Sequence, residues 1–484
     1  MDERSVAAHF AVVPEVRGQL TWATPKQLVF EHAPLRPGTA YEVVLTPGYR
    51  DAAGTVNSLR HHWPFRTEEA PVLTGSSPGA GDQSADPAAY LTLTFTRPMD
   101  LSTLGSAVSL SPVAGFAVRA DPGDPRRVVL APRSLLDPDR DYTIAVTRDA
   151  RDIDGNPLGA GTLVSFHTGP LRPLQHWTTF ITVPSGPAAA VGPGIWVANE
   201  NRFPRLLYSG SVRDFRWSAS GTRMLIREES GSWGDWTITG ALTPLGFQAR
   251  WADYLSPELG YAYQLRDKLM QLTPSGRTIE LASGVTQAAV APGGTRIAYV
   301  VDTRQGSELR AIEVPLRAGY RLQAEPAQIS DLSWAPDSSA VAYRVATGDP
   351  SRWQLRVRQL TGDGAVLTLA AGDLVGPSWQ DRRHLIFTGV VQSPAGPITK
   401  AFRRSLSDTA ASPLELGAGL PAGIQPASSV RASPDGRQIS FLSDAAGGSQ
   451  VWLMNADGTG LSELTRYDES DFPYSCRTLA WTLG

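Results

Sequence analysis

Ser433-Pro434-Asp435-Gly436-Arg437-Gln438-Ile439-Ser440-Phe441-Leu442-Ser443 is followed, after a short loop, by Val451-Trp452-Leu453-Met454-Asn455-Ala456-Asp457-Gly458 and then Leu464-Thr465. An Asp-Gly pair makes a tight turn because glycine accepts a positive φ and aspartate bonds its own backbone. The alternation of apolar and polar residues on either side is that of half-buried strands. Strand, turn, strand, loop, strand, turn and a short fourth strand make one four-stranded sheet. Degraded copies of the phrase recur upstream, and repetition of such a unit is how a β-propeller is written in sequence.

Working outward, the residue expected to end the first strand of each unit is Trp217, Trp251, Val290, Trp334, Trp379, Ala432 and Trp481. Their gaps of 34, 39, 44, 45, 53 and 49 residues suit four strands with variable loops. Seven anchors predict seven blades, with six or eight still open because the second unit is short. The last anchor has no strands after it. The first unit, around Trp177–Val183, Ile195–Ala198 and Arg205–Tyr208, has no anchor before it. The C-terminal strand Thr478-Leu479-Ala480-Trp481 is therefore expected to complete the N-terminal blade and remove both free edges.

Residues 1–170 carry a different pattern, an internal duplication. Leu35, Pro37, Tyr41, Asp51, Gly54, Phe65 and Thr67 match Leu136, Pro138, Tyr142, Asp152, Gly155, Phe166 and Thr168, each 101 residues on. Alternating runs such as Tyr41–Leu45 and Tyr142–Val146 read as strands, and two β-sandwich modules of about 100 residues fit the turn spacing. The second module opens with the strand Tyr90–Thr96, whereas Met1-Asp2 already corresponds to Met99-Asp100. The expectation is that the chain starts inside a domain, with an export signal or anchor upstream of Met1.

Composition bounds the function. The 484 residues are 42% hydrophobic and 19% charged, as in folded globular proteins, and exceed one ordinary core. A net charge of −3 without blocks of like charge argues against nucleic-acid binding. The single cysteine, Cys476, excludes an internal disulfide and a multi-cysteine zinc site. No apolar run reaches the ~18–20 residues that span a bilayer. The class expected is all-β, as 1–69 (an incomplete sandwich), 70–170 (a sandwich) and 171–484 (the propeller).

Two resemblances follow from these residues. Phe95-Thr96-Arg97-Pro98-Met99-Asp100, the Leu-x-Pro-x-x-x-Tyr runs at 35–41 and 136–142, Asp152–Leu158 and Phe166-His167-Thr168 resemble the bacterial Ig-like domain of the SbsA type. That resemblance implies a spacer or adhesion module of an exported protein. Trp334-Ala335-Pro336-Asp337 and Ser433-Pro434-Asp435-Gly436, with weaker copies at 217–221 and 291–294, resemble TolB-type propeller repeats. That resemblance implies a fold far more than a function.

Motifs with chemical meaning yield to simpler readings. Gly75-Ser76-Ser77-Pro78-Gly79 fits a hydrolase nucleophile pattern but has no helix after it, and reads as an interdomain hinge. No Lys follows Gly, so there is no P-loop, and no pair among the seven histidines has metal-ligand spacing. Asp152-Ile153-Asp154-Gly155 and Asn455-Ala456-Asp457-Gly458 read as turns, lacking the distal glutamate of a calcium loop. Asp468-Glu469-Ser470-Asp471 reads as a solvated loop.

Propellers bind through one loop face, where the connections from fourth to first strand and from second to third strand meet. On this register that face holds Trp233, Arg304, Asp349, Arg352, Tyr467, Asp471, Phe472, Tyr474 and Arg477. Aromatic and arginine side chains are the usual interface anchors. For Trp233, covering a blade edge is the competing role, with Trp236 in the blade core. The expectation is a monomeric, exported, non-catalytic protein of the bacterial envelope or surface. Its Ig-like pair would be a stalk for a propeller that binds protein, peptide or glycan, with no cofactor. The competing class is a propeller glycosidase or lyase acting at the central channel.

Overall fold

The computed structural model describes residues 1–185, 192–199, 204–238, 240–349, 351–362, 364–394, 396–417, 420, 424, 426, 428–444, 448–467 and 472–482. They form two compact units. One comprises 1–85, 89–132 and 139–169, and the other 86–88, 133–138 and 170–484. Both expected N-terminal modules thus lie in one unit. The stretches 86–88 and 133–138 join the other because their backbone bonds to its strand Arg205–Ser209, as where Arg205 Nη1 donates to the Ala88 carbonyl at 2.5 Å.

In the first unit, residues 70–169 form a sandwich of two antiparallel sheets. One sheet orders the strands Leu73–Ser77, Leu91–Phe95, Asp124–Pro132 and Phe116–Asp121; the other orders Thr162–His167, Asp141–Val146 and Val108–Ser111. Leu91, Leu93 and Phe95 point inward at alternate positions and are fully buried, as the period of a strand requires. The Gly75–Gly79 segment expected as a hinge is in fact mostly the edge strand Leu73–Ser77, held by pairing to Leu91–Phe95. Two seven-residue helices, Glu3–His9 and Leu101–Ala107, were not legible as helices because neither has two turns of periodic apolar residues. Each starts where an aspartate, Asp2 or Asp100, accepts a backbone N–H of the first turn.

Residues 1–67 repeat this plan with parts missing. The helix Glu3–His9 and the strand Phe10–Val13 lie 98 residues before Leu101–Ala107 and Val108–Ser111. The sheet Phe10–Val13, Ala40–Leu45, His61–Arg66 matches the second sheet above. Opposite it stands only a hairpin, Gly18–Thr24 with Gln27–His32.

In the second unit the described residues form seven four-stranded antiparallel sheets. Their first strands are Val212–Trp217, Trp251–Tyr254, Val285–Val290, Ile329–Trp334, Leu374–Trp379 and Ser428–Ala432, while the sheet Thr178–Pro184, Gly194–Ala198, Arg205–Ser209 takes its first strand from Tyr474–Trp481. That last pairing runs from Thr178 opposite Trp481 to Pro184 opposite Tyr474, as the sequence predicted. Trp177 and Thr482 fix its end through reciprocal bonds of 3.0 and 2.9 Å.

The anchors hold the sheets to one another. The indole N–H of Trp334 donates to the Ala289 carbonyl at 2.9 Å, that of Trp379 to Ser333 at 3.1 Å, and that of Trp481 to Arg431 at 3.2 Å. Each acceptor is the residue before the preceding sheet's anchor, so the C-terminal strand follows the seventh sheet by the same rule that links the others. Trp217 varies the rule, donating to Thr179 Oγ1 at 3.0 Å. One anchor is corrected: Trp251 begins its strand, and Tyr254 ends it. The loop before Trp251 is short, which placed the tryptophan three residues early.

Candidate binding site at the hub of the propeller

Counting back from each anchor brings two tiers of side chains together. One residue before the anchor stand Arg216, Asp253, Ala289, Ser333, Ser378, Arg431 and Ala480; three before it stand Asp214, Trp251, Gln287, Asp331, Gly376, Ser429 and Thr478. Charged residues at such positions run against the apolar habit of a buried strand.

Bulges aim them. Pairing with the second strand slips between Ser330 and Ser333 and between Ser428 and Arg431, and it skips Thr478. Asp331, Ser429 and Thr478, all three residues before their anchors, have φ of 54°, 54° and 52°. Non-glycine residues adopt this left-handed region at some cost, and bulges that impose it are concentrated at sites that re-aim side chains.

The charges meet across the ring. Arg216 Nη1 donates to Asp214 Oδ1 at 2.7 Å. Burial works against the Arg216 charge, but the Asp214 and Asp253 carboxylates outweigh it and hold its pKa above the ordinary arginine value. Asp253 is pushed up to about 6 by burial, with Arg216 opposing and Asp214 assisting. The pKa of Arg431 is lowered by burial and by Arg216, against the pull of Asp331 and Asp214. These groups come from the second, third, fifth and seventh sheets, so the space they share is the hub. Of the Arg216 side chain 36% is exposed, so water reaches it. Gln287 Oε1 accepts the Asp331 N–H at 2.8 Å, and Arg344 pairs with the Asp331 carboxylate while lying over the Trp353 ring.

The expected loop-face residues divide. Arg304 is exposed on the turn between the strands Arg296–Thr303 and Gly306–Glu313. Asp349 and Arg352 are exposed between Ala340–Ala346 and Trp353–Gln359, where Asp349 Oδ1 accepts from Ser351 N–H at 2.9 Å. Tyr467 is half-buried ahead of the closing strand. Arg477 is exposed but occupied, donating to Glu229 at 3.1 Å and to the Val212 carbonyl at 2.6 Å. Asp471, like Asp468–Ser470, lies outside the described residues.

Three aromatic expectations are corrected. Trp233 is buried between the second and third sheets among Leu225, Ala252 and Tyr263, with its N–H on the Ala249 carbonyl at 3.0 Å. Phe472 and Tyr474 are buried against Trp196, with ring centroids 5.5 and 5.2 Å away. A large apolar ring next to a wide inter-sheet gap fills it, because leaving the gap empty forfeits packing. Sequence reasoning missed the hub set, Asp214, Arg216, Asp253, Asp331 and Arg431. The signal was present as charge at fixed steps before the anchors.

Other polar clusters serve the framework. Asp235 is buried between the second and third sheets, where it accepts from Tyr254 at 2.8 Å, Tyr261 at 2.6 Å and Arg223. Asp152 accepts the N–H groups of Asp154 and Asn156 at 3.1 and 2.8 Å and faces Arg97 Nε at 3.0 Å, so its segment acts as a turn. No group of three metal-ligating side chains is found among the described residues.

Comparison with known proteins adds the following. In fold the chain is similar to a putative TolB from Agrobacterium tumefaciens, at 14% identity, 60% of this chain, 88% of that one and a TM-score of 0.36. It is similar to TolB from Acinetobacter baumannii at 11% identity, 78% and 83% coverage and a TM-score of 0.39. It is similar to an oligogalacturonate lyase from Vibrio parahaemolyticus at 11% identity, 60% and 87% coverage and a TM-score of 0.44. No curated protein matches the chain. Residues 68–168 match the bacterial Ig-like domain family.

Proposed function

We propose that this chain is a non-catalytic binding protein of the bacterial envelope or surface. Its Ig-like part serves as a spacer, and its propeller binds a protein, peptide or glycan at the loop face and the hub beneath it. The bacterial Ig-like match at 68–168 supports the setting. The observation that carries the binding role is the hub itself, where Asp214 and Arg216 from one sheet meet Asp253 and Arg431 from two others. Contacts between sheets are made elsewhere by the anchor indoles and by the buried Asp235 cluster. Charges of both signs gathered from several sheets in one partly buried place are found where a ligand is recognised.

A second reading, a lyase or glycosidase, is favoured by one observation. Asp253, with a pKa of about 6, could exchange a proton near neutral pH beside the Arg216 cation. Arrays of envelope glycans and peptides probed with the full chain test both. Selective retention, weakened by Arg431→Glu or by Arg304→Glu with Arg352→Glu and accompanied by no turnover, supports the binder. Cleavage of a retained saccharide, abolished by Asp253→Asn, assigns the enzyme. Retention unchanged in all these variants overturns the site.

A further inference from the structure

Charge is distributed unevenly around the hub. Every residue of the two tiers is half-buried, whereas most residues between the tiers, among them Phe215, Ala252, Pro377, Val430 and Leu479, are buried. The tiers are thus the part of the inner strands that solvent reaches, and the residues between them are the packing.

One residue before the anchors, Arg431 and Arg216 stand on either side of Ala480. The closing strand fixes that order. Trp481 Nε1 donates to the Arg431 carbonyl at 3.2 Å on one flank, and Arg477 Nη2 to the Val212 carbonyl at 2.6 Å on the other. Ala480 puts only a methyl group between the two arginines. Ser429 and Thr478 lie immediately beside this arc and hold left-handed backbone, with φ of 54° and 52°. Such strain is concentrated where side chains are aimed at a ligand.

The two cations differ in their compensation. Arg216 has the Asp214 carboxylate at 2.7 Å. Arg431 Nη1 donates to the Val430 carbonyl at 3.0 Å, and among the described residues no carboxylate pairs with it. Asp331, on the fifth sheet, is taken by Arg344. After burial, repulsion from Arg216 is the next cause of the lowered pKa of Arg431. A guanidinium offers five donors in a planar fork that matches a carboxylate. A partly desolvated cation without a counter-ion costs free energy that an incoming anion recovers.

The surroundings narrow the anion. Asp214 and Asp253 lie beside Arg216, so a ligand group with two negative charges would meet two carboxylates, and a single charge fits better. Ser333, Ser378, Ser429 and Thr478 add hydroxyls around the same space, and Gln287 an amide. These groups both donate and accept, as the ring hydroxyls of a sugar require. Trp251 is the one large apolar residue of the tiers. The lining therefore lacks the apolar pockets that anchor a peptide.

We propose, resting on the reading of the propeller as a binding protein, that the hub binds a uronic-acid unit of an acidic saccharide. Its carboxylate lies between Arg431 and Arg216 over Ala480, with Arg431 as the main partner. Its hydroxyls meet the serine, threonine and aspartate side chains around them.

The full chain is titrated with the trimers of glucuronic, galacturonic and mannuronic acid and with the neutral trimers of the parent hexoses. At least one acidic trimer should bind at least about tenfold more tightly than its neutral counterpart. It should raise the melting temperature of the propeller and not that of the first unit. Arg431→Gln should weaken that trimer about ten- to hundredfold, and Arg431→Lys, which keeps the charge, should bind more tightly than Arg431→Gln. Equal affinity for acidic and neutral trimers overturns the proposal, and so does the absence of binding by every acidic trimer. Unchanged affinity in Arg431→Gln overturns it as well, as does a lysine variant no better than the glutamine one. Retention of a peptide or a neutral glycan instead, weakened by Arg431→Glu, overturns the uronic-acid assignment and leaves the binding role of the hub standing. Retention of no glycan and no peptide overturns both.

Discussion

Asp253 is a carboxylate whose charge is opposed by burial and supported by Arg216, and burial prevails. Its folded-state pKa of about 6 lies above its ordinary 3.8, so between about pH 4 and pH 6 the folded protein holds more of this proton than the unfolded chain does. Stability attributable to Asp253 is therefore greatest below about pH 4 and lost as pH rises through about 6. Asp253→Asn keeps a neutral group of the same shape. It should raise stability by about 1–3 kcal/mol at pH 7 and by nothing measurable at about pH 4. Urea unfolding at the two pH values reads the difference. The place of Asp253 one step before its anchor was legible in the sequence, but its perturbation was not, because that comes from burial and from Arg216 and Asp214 on a neighbouring sheet.

At the scale of elements, the repeats announce their strands through turn chemistry. Asp435 Oδ1 accepts from Ser433 Oγ at 2.5 Å and Arg437 N–H at 3.1 Å, and Gly436 takes a φ of +70°. These contacts join residues within a few positions of one another, so the residue types alone spell the turn. The packing of sheet on sheet is not local. Trp233 and Trp236 lie on one strand, three residues apart, and face opposite sides of the second sheet. Trp236 joins the core shared with Trp217 and Ile181, and Trp233 the core shared with Tyr263. Trp233→Ala should cost about 3–5 kcal/mol of propeller stability, as for other buried indoles, while ligand retention by the folded fraction stays unchanged. A thermal melt and a binding assay on the same sample separate the two effects.

For the molecule as a whole, ring closure depends on residues far apart in sequence. Tyr474–Trp481 supplies the first strand of a sheet whose other strands begin at Thr178, and Trp481 reaches back to the Arg431 carbonyl. Deleting residues 474–484 removes that strand, exposes the edge of Thr178–Pro184 and uncovers Trp196. The shortened chain should lose the propeller's cooperative transition while the first unit still melts as before; calorimetry of the two chains tests this. The same deletion removes Arg477, which ties the closing strand to Val212 and Glu229.

The turns, the strand periodicity, the internal duplication and the joining of the chain's tail to its opening sheet were all determined by the sequence alone, because they rest on local backbone chemistry and on counting repeats. Which aromatic rings are buried, and which charges share the hub, was decided only in three dimensions. Burial and pKa are properties of neighbours, and the neighbours of Trp233, Asp253 and Arg431 come from strands that no local pattern connects.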